Sequence, residues 1–435
     1  MSNSGKVTYL TAGAGGMFCG SCLNDNTLAR GLSNQGWDIQ LVPTYTPIRT
    51  EADDFSVDQV FFGGINVFLQ QKIPLLRYVP AVLDRFLDNP WLIRKVTAKA
   101  MDTDARVLGK LAVSMLKGTK GNQRKEVKRL CDWLEKTAQP DVVVFSNILI
   151  GGCIGEIKRK LNVPVLVVLQ GDDVFLDGLL PEFKQQAFDE ISKITNQVDG
   201  FVVHSQFFRE YMAGYFGIPV NKIHVTPLGI DVADFKPMAE SATRVPNQSR
   251  SIGYLARLAP EKGLHVLVDA FIKLKQRPGH EDTKLKIGGW MGAPNQDYAD
   301  AQFRRLAEEG LKDHYEYLGS FDRNGKIELL SNIDVLSVPT VFKEPKGLYA
   351  LEALAAGVPI VQPNHGCFPE LIQAAGCGLL FEPENSDDLA ERLDQVLQQP
   401  TRFEDARCGQ RFVHEFRNAQ SMSDSMSDVL SQLTG

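Results

Sequence analysis

The sequence predicts an α/β protein with two doubly wound parallel sheets, and three observations carry that prediction. Short apolar runs, mostly β-branched, alternate with helix-forming stretches, as in a parallel sheet buried on both faces. The first run leads into a glycine-rich turn and then a helix, the start of a βαβ unit. The whole pattern restarts after a polar, proline-containing stretch from Lys236 to Arg250. A chain of 435 residues also exceeds what one ordinary core holds, which favours two domains.

In the first half, Val7–Leu10 reads as a strand, Gly13, Gly15 and Gly16 as its turn, and Asn24–Ser33 as a helix ended near Gly36. Ile39–Val42, Val142–Phe145, Val165–Val168 and Gly200–Val203 are the next strands. In the second half the strands are Ser251–Leu255, Lys284–Ile287, Val335–Val338 and Val358–Val361. The domains are therefore set at 1–235 and 251–414, with 236–250 as linker and 415–435 as a terminal helix. Residues from about 60 to 135 break the rhythm. Their apolar clusters Phe61-Phe62, Leu75-Leu76 and Trp91-Leu92-Ile93 are interspersed with Arg77, Arg85, Arg94, Lys95 and Lys99. The segment reads as a helical insertion on the first domain. Its basic, amphipathic stretch 60–100 also fits a lid or a peripheral membrane contact.

The bulk composition excludes several classes. A net charge of −6 argues against a general nucleic-acid binder. No apolar run reaches the roughly 20 residues that a spanning helix needs. The opening MSNSGKVTYL lacks the order of a secretory leader. Seven scattered cysteines fit reduced thiols better than a disulfide framework. The expected location is cytoplasmic, with peripheral contact to the inner face of a membrane if the basic stretch is used that way. The sequence does not set the oligomeric state.

The chemistry concentrates in Lys343-Glu344-Pro345-Lys346-Gly347-Leu348-Tyr349-Ala350-Leu351-Glu352. Leu348–Ala356 are good helix formers, and Gly357 ends the helix before the next strand. Gly347 lets a ligand come close to the start of that helix, whose free N–H groups and dipole favour an anion. Glu344 and Glu352 are acceptors suited to sugar hydroxyls. Arg257 and Lys262, in Ala256-Arg257-Leu258-Ala259-Pro260-Glu261-Lys262-Gly263, follow a strand at the end where open sheets bind ligands. They are cations for a diphosphate, or else surface charges around Glu261.

Glu344 to Glu352 resembles the E-x7-E motif of retaining glycosyltransferase family 4, the group 1 glycosyl transferases. The 256–263 stretch resembles the family's GRL…KG element, with Ala256 where Gly is usual. Val225–Asp231, Tyr317-Leu318-Gly319 and Gly366-Cys367-Phe368-Pro369-Glu370 have counterparts too. The resemblance implies a GT-B fold, two Rossmann-like domains facing across a cleft, with the terminal helix returning to the first domain. It also implies a retaining transfer of a hexose from a nucleotide sugar, UDP- or GDP-linked, to a hydroxyl acceptor that is small and polar or lipid-linked. No metal and no further cofactor is expected. By the same carry-over, Arg257 and Lys262 hold the donor diphosphate, Glu352 the ribose and Glu344 the donor sugar. Backbone N–H groups near Gly347 and Leu348 assist, and Leu318 and Gly319 border the base.

The N-terminal half matches less closely. Where many members have a histidine near the reacting sugar, this chain reads Leu169-Gln170-Gly171-Asp172-Asp173. Gln170 can bond a hydroxyl but cannot shuttle a proton, and Asp172 either contacts substrate or caps the turn. His204 ends another strand at the same face, as an acceptor contact or as a structural histidine. In the first loop, Gly15 and Gly16 allow close approach to donor phosphates or acceptor, and Asn24 and Asp25 are candidate acceptor contacts. Cys19 and Cys22 read as unpaired thiols; a disulfide or a metal site is the alternative, although no further ligands are near in sequence. A nicotinamide site is disfavoured, because Phe18 occupies the third glycine position. An epimerase or phosphorylase on the same fold, and a non-catalytic nucleotide-sugar-binding module, are the rival readings.

Overall fold

The computed structural model describes residues 4–13, 20–46, 55–57, 60–61, 105–236 and 250–435. Gly15, Gly16 and Cys19, most of the basic stretch 60–100, and most of the expected linker lie outside the described residues. The chain divides into two compact units, one of residues up to Pro227 together with Met422–Gly435, the other Leu228–Ser421.

The first unit is a six-stranded parallel sheet: β1 (Ser4–Thr11), β2 (Trp37–Pro43), β3 (Val142–Phe145), β4 (Val165–Val168), β5 (Gly200–Val203) and β6 (Ile223–Val225). Their order is β2-β1-β3-β4-β5-β6. Every residue of β3, β4 and β5 is buried, which is why these strands read as unbroken apolar runs rather than alternating ones. Between them, helix Gln206–Phe216 shows how the sheet is covered. Ser205 Oγ accepts from Phe208 N at its start, and Gly217 ends it with a positive φ. Phe208, Met212 and Phe216, four residues apart, make its buried face. Each such side chain contributes about 1.5–3 kcal/mol when fully buried. The described part of the insertion is helical, Ala105–Leu116 and Arg124–Trp133, and its Val113, Leu116, Val127 and Leu130 join this core. Phe61 is also buried, against Trp133.

The second unit contains β7 (Ser251–Leu255), β8 (Lys284–Gly288), β9 (Tyr315–Tyr317), β10 (Val335–Leu336), β11 (Val361–Pro363) and β12 (Leu379–Phe381). Strands pair in the orders β10-β7-β8-β9 and β11-β12, and a parallel bridge from Leu336 to Ile360 joins the two sets. The order is thus β9-β8-β7-β10-β11-β12. It reverses between β7 and β10, and the crevice beyond the carboxyl ends of those two strands is where such sheets bind ligands.

The units divide at Pro227/Leu228 rather than at 235/236, because the segment after Pro227 is tied to the second unit. Ile230 N donates to Arg417 O at 2.9 Å, and Arg323 pairs with both Asp231 and Asp234. The terminal helix spans Ala419–Thr434, and its residues from Met422 onward belong to the first unit. There Gln35 donates to Asp424 Oδ1 at 2.7 Å and Trp37 Nε1 to Ser427 Oγ at 2.9 Å. No helix among the described residues is long and apolar enough to cross a membrane.

Candidate active site

In the second unit, the loops that follow β7, β8 and β10 are locked together by glycines. Gly289 has φ +147°, and a Cβ there would overlap Ala256 O; Gly263 has φ +71°, and its Cβ would overlap Pro339 O. Only glycine permits both approaches. Gly263 ends the short turn Pro260–Lys262 and starts helix Leu264–Lys275, so it draws Lys262 against the loop after β10. Tyr254, buried in β7, gives its hydroxyl to Arg257 O at 3.1 Å.

The result is a pair across the switch point. Lys262 Nζ donates to Glu344 Oε2 at 2.7 Å and lies 4.5 Å from the centre of the Phe342 ring. Gly347 N donates to Glu344 Oε1 at 3.4 Å and the Tyr349 hydroxyl to Oε2 at 3.5 Å. Burial pushes the Glu344 carboxyl up, but the charge and hydrogen bond of Lys262, with Lys346 and Gly347 N–H adding, hold it below the usual glutamate value. The backbone is fixed as well: Cys367 N donates to Glu344 O at 2.9 Å, and Gly366 packs too closely on Glu344 for any side chain. Gly347, at φ +67°, turns the chain into helix Leu348–Ala355.

Glu352, on the buried face of that helix, accepts from Lys326 Nζ at 2.7 Å. Sequence reasoning missed Lys326. It lies on helix Arg323–Ser331 among the inward positions Leu329 and Leu330, and a lysine three residues before such a pair was the available signal. Arg257 pairs instead with Glu261, and both side chains are partly exposed. Leu318 and Gly319 lie past β9, where Gly319 O accepts from Gly289 N at 2.8 Å. Lys262, Glu344 and Gly347 are therefore brought together; Glu352 stands further along the same helix with its own lysine, and Arg257 stays at the rim with its own carboxylate.

The first unit has its own switch point, between β1 and β3. Asp25, expected against an acceptor hydroxyl, is fully buried instead. Tyr9 OH and Thr11 Oγ1 donate to its two oxygens at 2.9 and 2.8 Å. Helix Gly20–Asn34 begins a turn earlier than the sequence suggests, and Asp25 is among its buried residues. Gln170 Nε2 donates to Ser146 O at 2.7 Å and, at 3.5 Å, to Asp25 Oδ1. Asp172 accepts from Ile148 N at 2.9 Å and Gln170 N at 3.1 Å, so it braces the turns after β3 and β4. Burial pushes its carboxyl up to about 6, and does the same to Asp173. His204 Nδ1 lies 2.9 Å from Thr226 O, and its Nε2 lies 3.5 Å from Asn24 Nδ2. Cys22 is buried.

Comparison with known proteins agrees with this architecture. Residues 237–412 match the family model for glycosyl transferases group 1, and residues 109–234 that for glycosyltransferase family 4. An uncharacterized glycosyltransferase of Methanocaldococcus jannaschii is 30% identical over 202 residues, 44% of this chain and 49% of the relative. A D-inositol 3-phosphate glycosyltransferase of Mycolicibacterium smegmatis is 24% identical over 275 residues, 60% of this chain and 62% of the relative. The chain thus spans about half the length of the first of these curated relatives and 62% of the second. Among solved structures, sucrose-phosphate synthase of Thermosynechococcus elongatus superposes with a TM-score of 0.69 at 17% identity, over 99% of both chains. HepE of Anabaena in complex with UDP-glucose superposes at 0.65 with 17% identity, over 99% of this chain and all of that one. In fold and in sequence, this chain belongs to the group 1, family 4 glycosyltransferases of GT-B fold.

Proposed function

We propose that the protein is a retaining glycosyltransferase that moves a hexose from a nucleotide-sugar donor to a hydroxyl acceptor, without a metal ion. The observation that carries the reading is the Lys262–Glu344 pair, held across the β7/β10 crevice by loops that only glycine can close. An ammonium has three donors, and Glu344 uses one. The others suit a diphosphate arriving at the same place, with Arg257 at the rim. Glu344 then accepts from donor-sugar hydroxyls, and Glu352 from the ribose.

In the proposed reaction the acceptor hydroxyl attacks the anomeric carbon on the face the diphosphate leaves. Its proton passes to a leaving phosphate oxygen as the carbon–oxygen bond to the diphosphate breaks. Negative charge grows on the diphosphate, and cations fixed beforehand stabilise it there more than in the ground state. Gln170 lacks a titratable proton and serves to orient a hydroxyl. The acceptor is a small polar molecule or a lipid-linked glycan.

A structural neighbour with UDP-glucose bound makes that donor the first to test. Calorimetric titration with UDP, UDP-glucose, GDP-mannose and ADP-glucose should show binding of at least one, and Lys262→Ala should remove most of it. Binding of none by the native chain, or unchanged affinity in Lys262→Ala, would falsify the site.

A further inference from the structure

Of the described cysteines, Cys22, Cys131, Cys153 and Cys367 are buried; the two that are partly accessible, Cys377 and Cys408, are neighbours within the second unit. Each sulfur rests on the backbone beside the other cysteine. Cys408 Sγ lies 3.5 Å from Gly376 O, and Gly409 has only hydrogen where a Cβ would overlap Cys377 Sγ. Cys408 also donates to Asp405 O at 2.8 Å. Burial, then the neighbouring Cys408 sulfur and a hydrogen bond between the two side chains, push the Cys377 thiol up to about 12. Among the described residues no third metal-ligating side chain joins them, and two sulfurs alone do not make a zinc site.

The pair lies behind the candidate site. Cys377 follows the turn at Gly376 that ends helix Phe368–Ala375, and Cys408 is in the first turn of helix Arg407–Phe416. The first of these helices begins after Cys367, whose N–H holds Glu344 O at 2.9 Å. The second gives Gln410 Nε2 to Ala355 O at 3.2 Å, at the end of the helix that carries Glu352. A bond between the two sulfurs would therefore tie together the supports of both carboxylates.

We propose that Cys377 and Cys408 form a reversible disulfide that braces the second unit, closed by a low-molecular-weight disulfide of the glutathione class and reopened by the matching thiol. Closure takes two exchanges. The Cys408 sulfur, deprotonated, attacks one sulfur of the small disulfide; that S–S bond breaks, and the first small thiolate leaves and takes up a proton. The Cys377 sulfur, deprotonated in turn, attacks Cys408 Sγ in the mixed disulfide and releases the second small thiolate, which is protonated likewise. Two cysteine thiols are oxidised and one small disulfide is reduced to two thiols. Cys377 resolves because capping Cys408 removes the neighbour that helps to hold the Cys377 proton. None of this depends on which nucleotide sugar the chain binds.

The test compares the full native chain in oxidised glutathione and in dithiothreitol, with no substitution. Remaining thiols are alkylated, and proteolytic peptides are mapped without reduction. A peptide pair joined through Cys377 and Cys408 should appear in oxidised glutathione and vanish on adding dithiothreitol. Because the bond removes chain freedom from the unfolded state, the oxidised chain should unfold about 5 °C or more above the reduced one. Cys377→Ser and Cys408→Ser should each lose that rise, and in Cys377→Ser the glutathione should stay on Cys408. Alanine replaces serine in any variant whose reduced form does not fold. A native chain whose Cys377 and Cys408 are still alkylated after oxidised glutathione, or carry one glutathione each, overturns the proposal. So does a thermal rise that survives in both single variants, since the stabilising bond then lies elsewhere. A chain that carries the bond yet melts no higher than its reduced form overturns the bracing role and the proposal with it.

Discussion

Lys326 Nζ donates to Glu352 Oε1 at 2.7 Å, with both side chains largely buried, so the carboxylate expected to hold the ribose is already neutralised from within its own unit. Breaking one side of such a pair leaves an uncompensated buried charge. Lys326→Met should therefore cost about 3–5 kcal/mol in urea unfolding. Adding Glu352→Gln should restore much of that stability without restoring nucleotide affinity. Equal stability of Lys326→Met and the native chain would show that the pair is solvated.

Glu352→Gln alone keeps shape and one acceptor oxygen while removing the charge. Losing a charge-assisted bond to the ribose should weaken nucleoside diphosphate binding by about 1.5–3 kcal/mol, roughly ten- to a hundredfold. Isothermal titration with UDP reads this directly, and an unchanged Kd would remove Glu352 from the donor site.

The glycines of the second unit separate two kinds of constraint. Gly263→Ala must force a Cβ into Pro339 O from a left-handed backbone, and should lower stability by well over the ~1 kcal/mol of backbone preference while displacing Lys262. Gly319, at φ +77°, has nothing within 4 Å of a would-be Cβ. Gly319→Ala should therefore cost only about 1 kcal/mol. Thermal unfolding of the two variants side by side checks the contrast.

Asp172 and Asp173 titrate in the direction burial dictates. Their folded values, about 6, lie above the ordinary 3.8, so the folded state holds their protons more tightly than the unfolded chain does. The stability they contribute is complete below pH ~4 and is lost as the pH rises through ~6. Urea unfolding of the native chain at pH 5 and pH 7.5 should show this fall, on the order of 1–3 kcal/mol. Asp173→Asn should flatten the profile. A variant profile as steep as the native one would assign the pH dependence to other groups.

Much of the fold was legible because fully buried parallel strands leave continuous apolar runs. Val142–Phe145, Val165–Val168, Gly200–Val203 and Ser251–Leu255 were read at their observed bounds. β6, β9 and β12 were not read as strands. Each is three residues long and at least partly accessible, and Ile223-His224-Val225 or Tyr315-Glu316-Tyr317 is too brief to show a period. The pairing of Lys262 with Glu344 could not be seen from spacing, because it depends on where β10 lies beside β7. The inward position of Asp25 could not be seen from spacing either, because it depends on Tyr9 and Thr11 of β1 lying beside that helix.

The terminal segment has a consequence for biosynthesis. Trp37 and Gln35 find Ser427 and Asp424 only in residues that leave the ribosome after the whole of the second unit. The second unit, contiguous from Leu228 to Ser421, can mature while the first still waits for its closing helix. Nascent chains stalled just short of Met422 should then hold a protease-resistant C-terminal half beside an N-terminal half that is more readily cleaved. The indole of Trp37, 6% exposed in the finished fold, would be the natural fluorescent reporter of the final step.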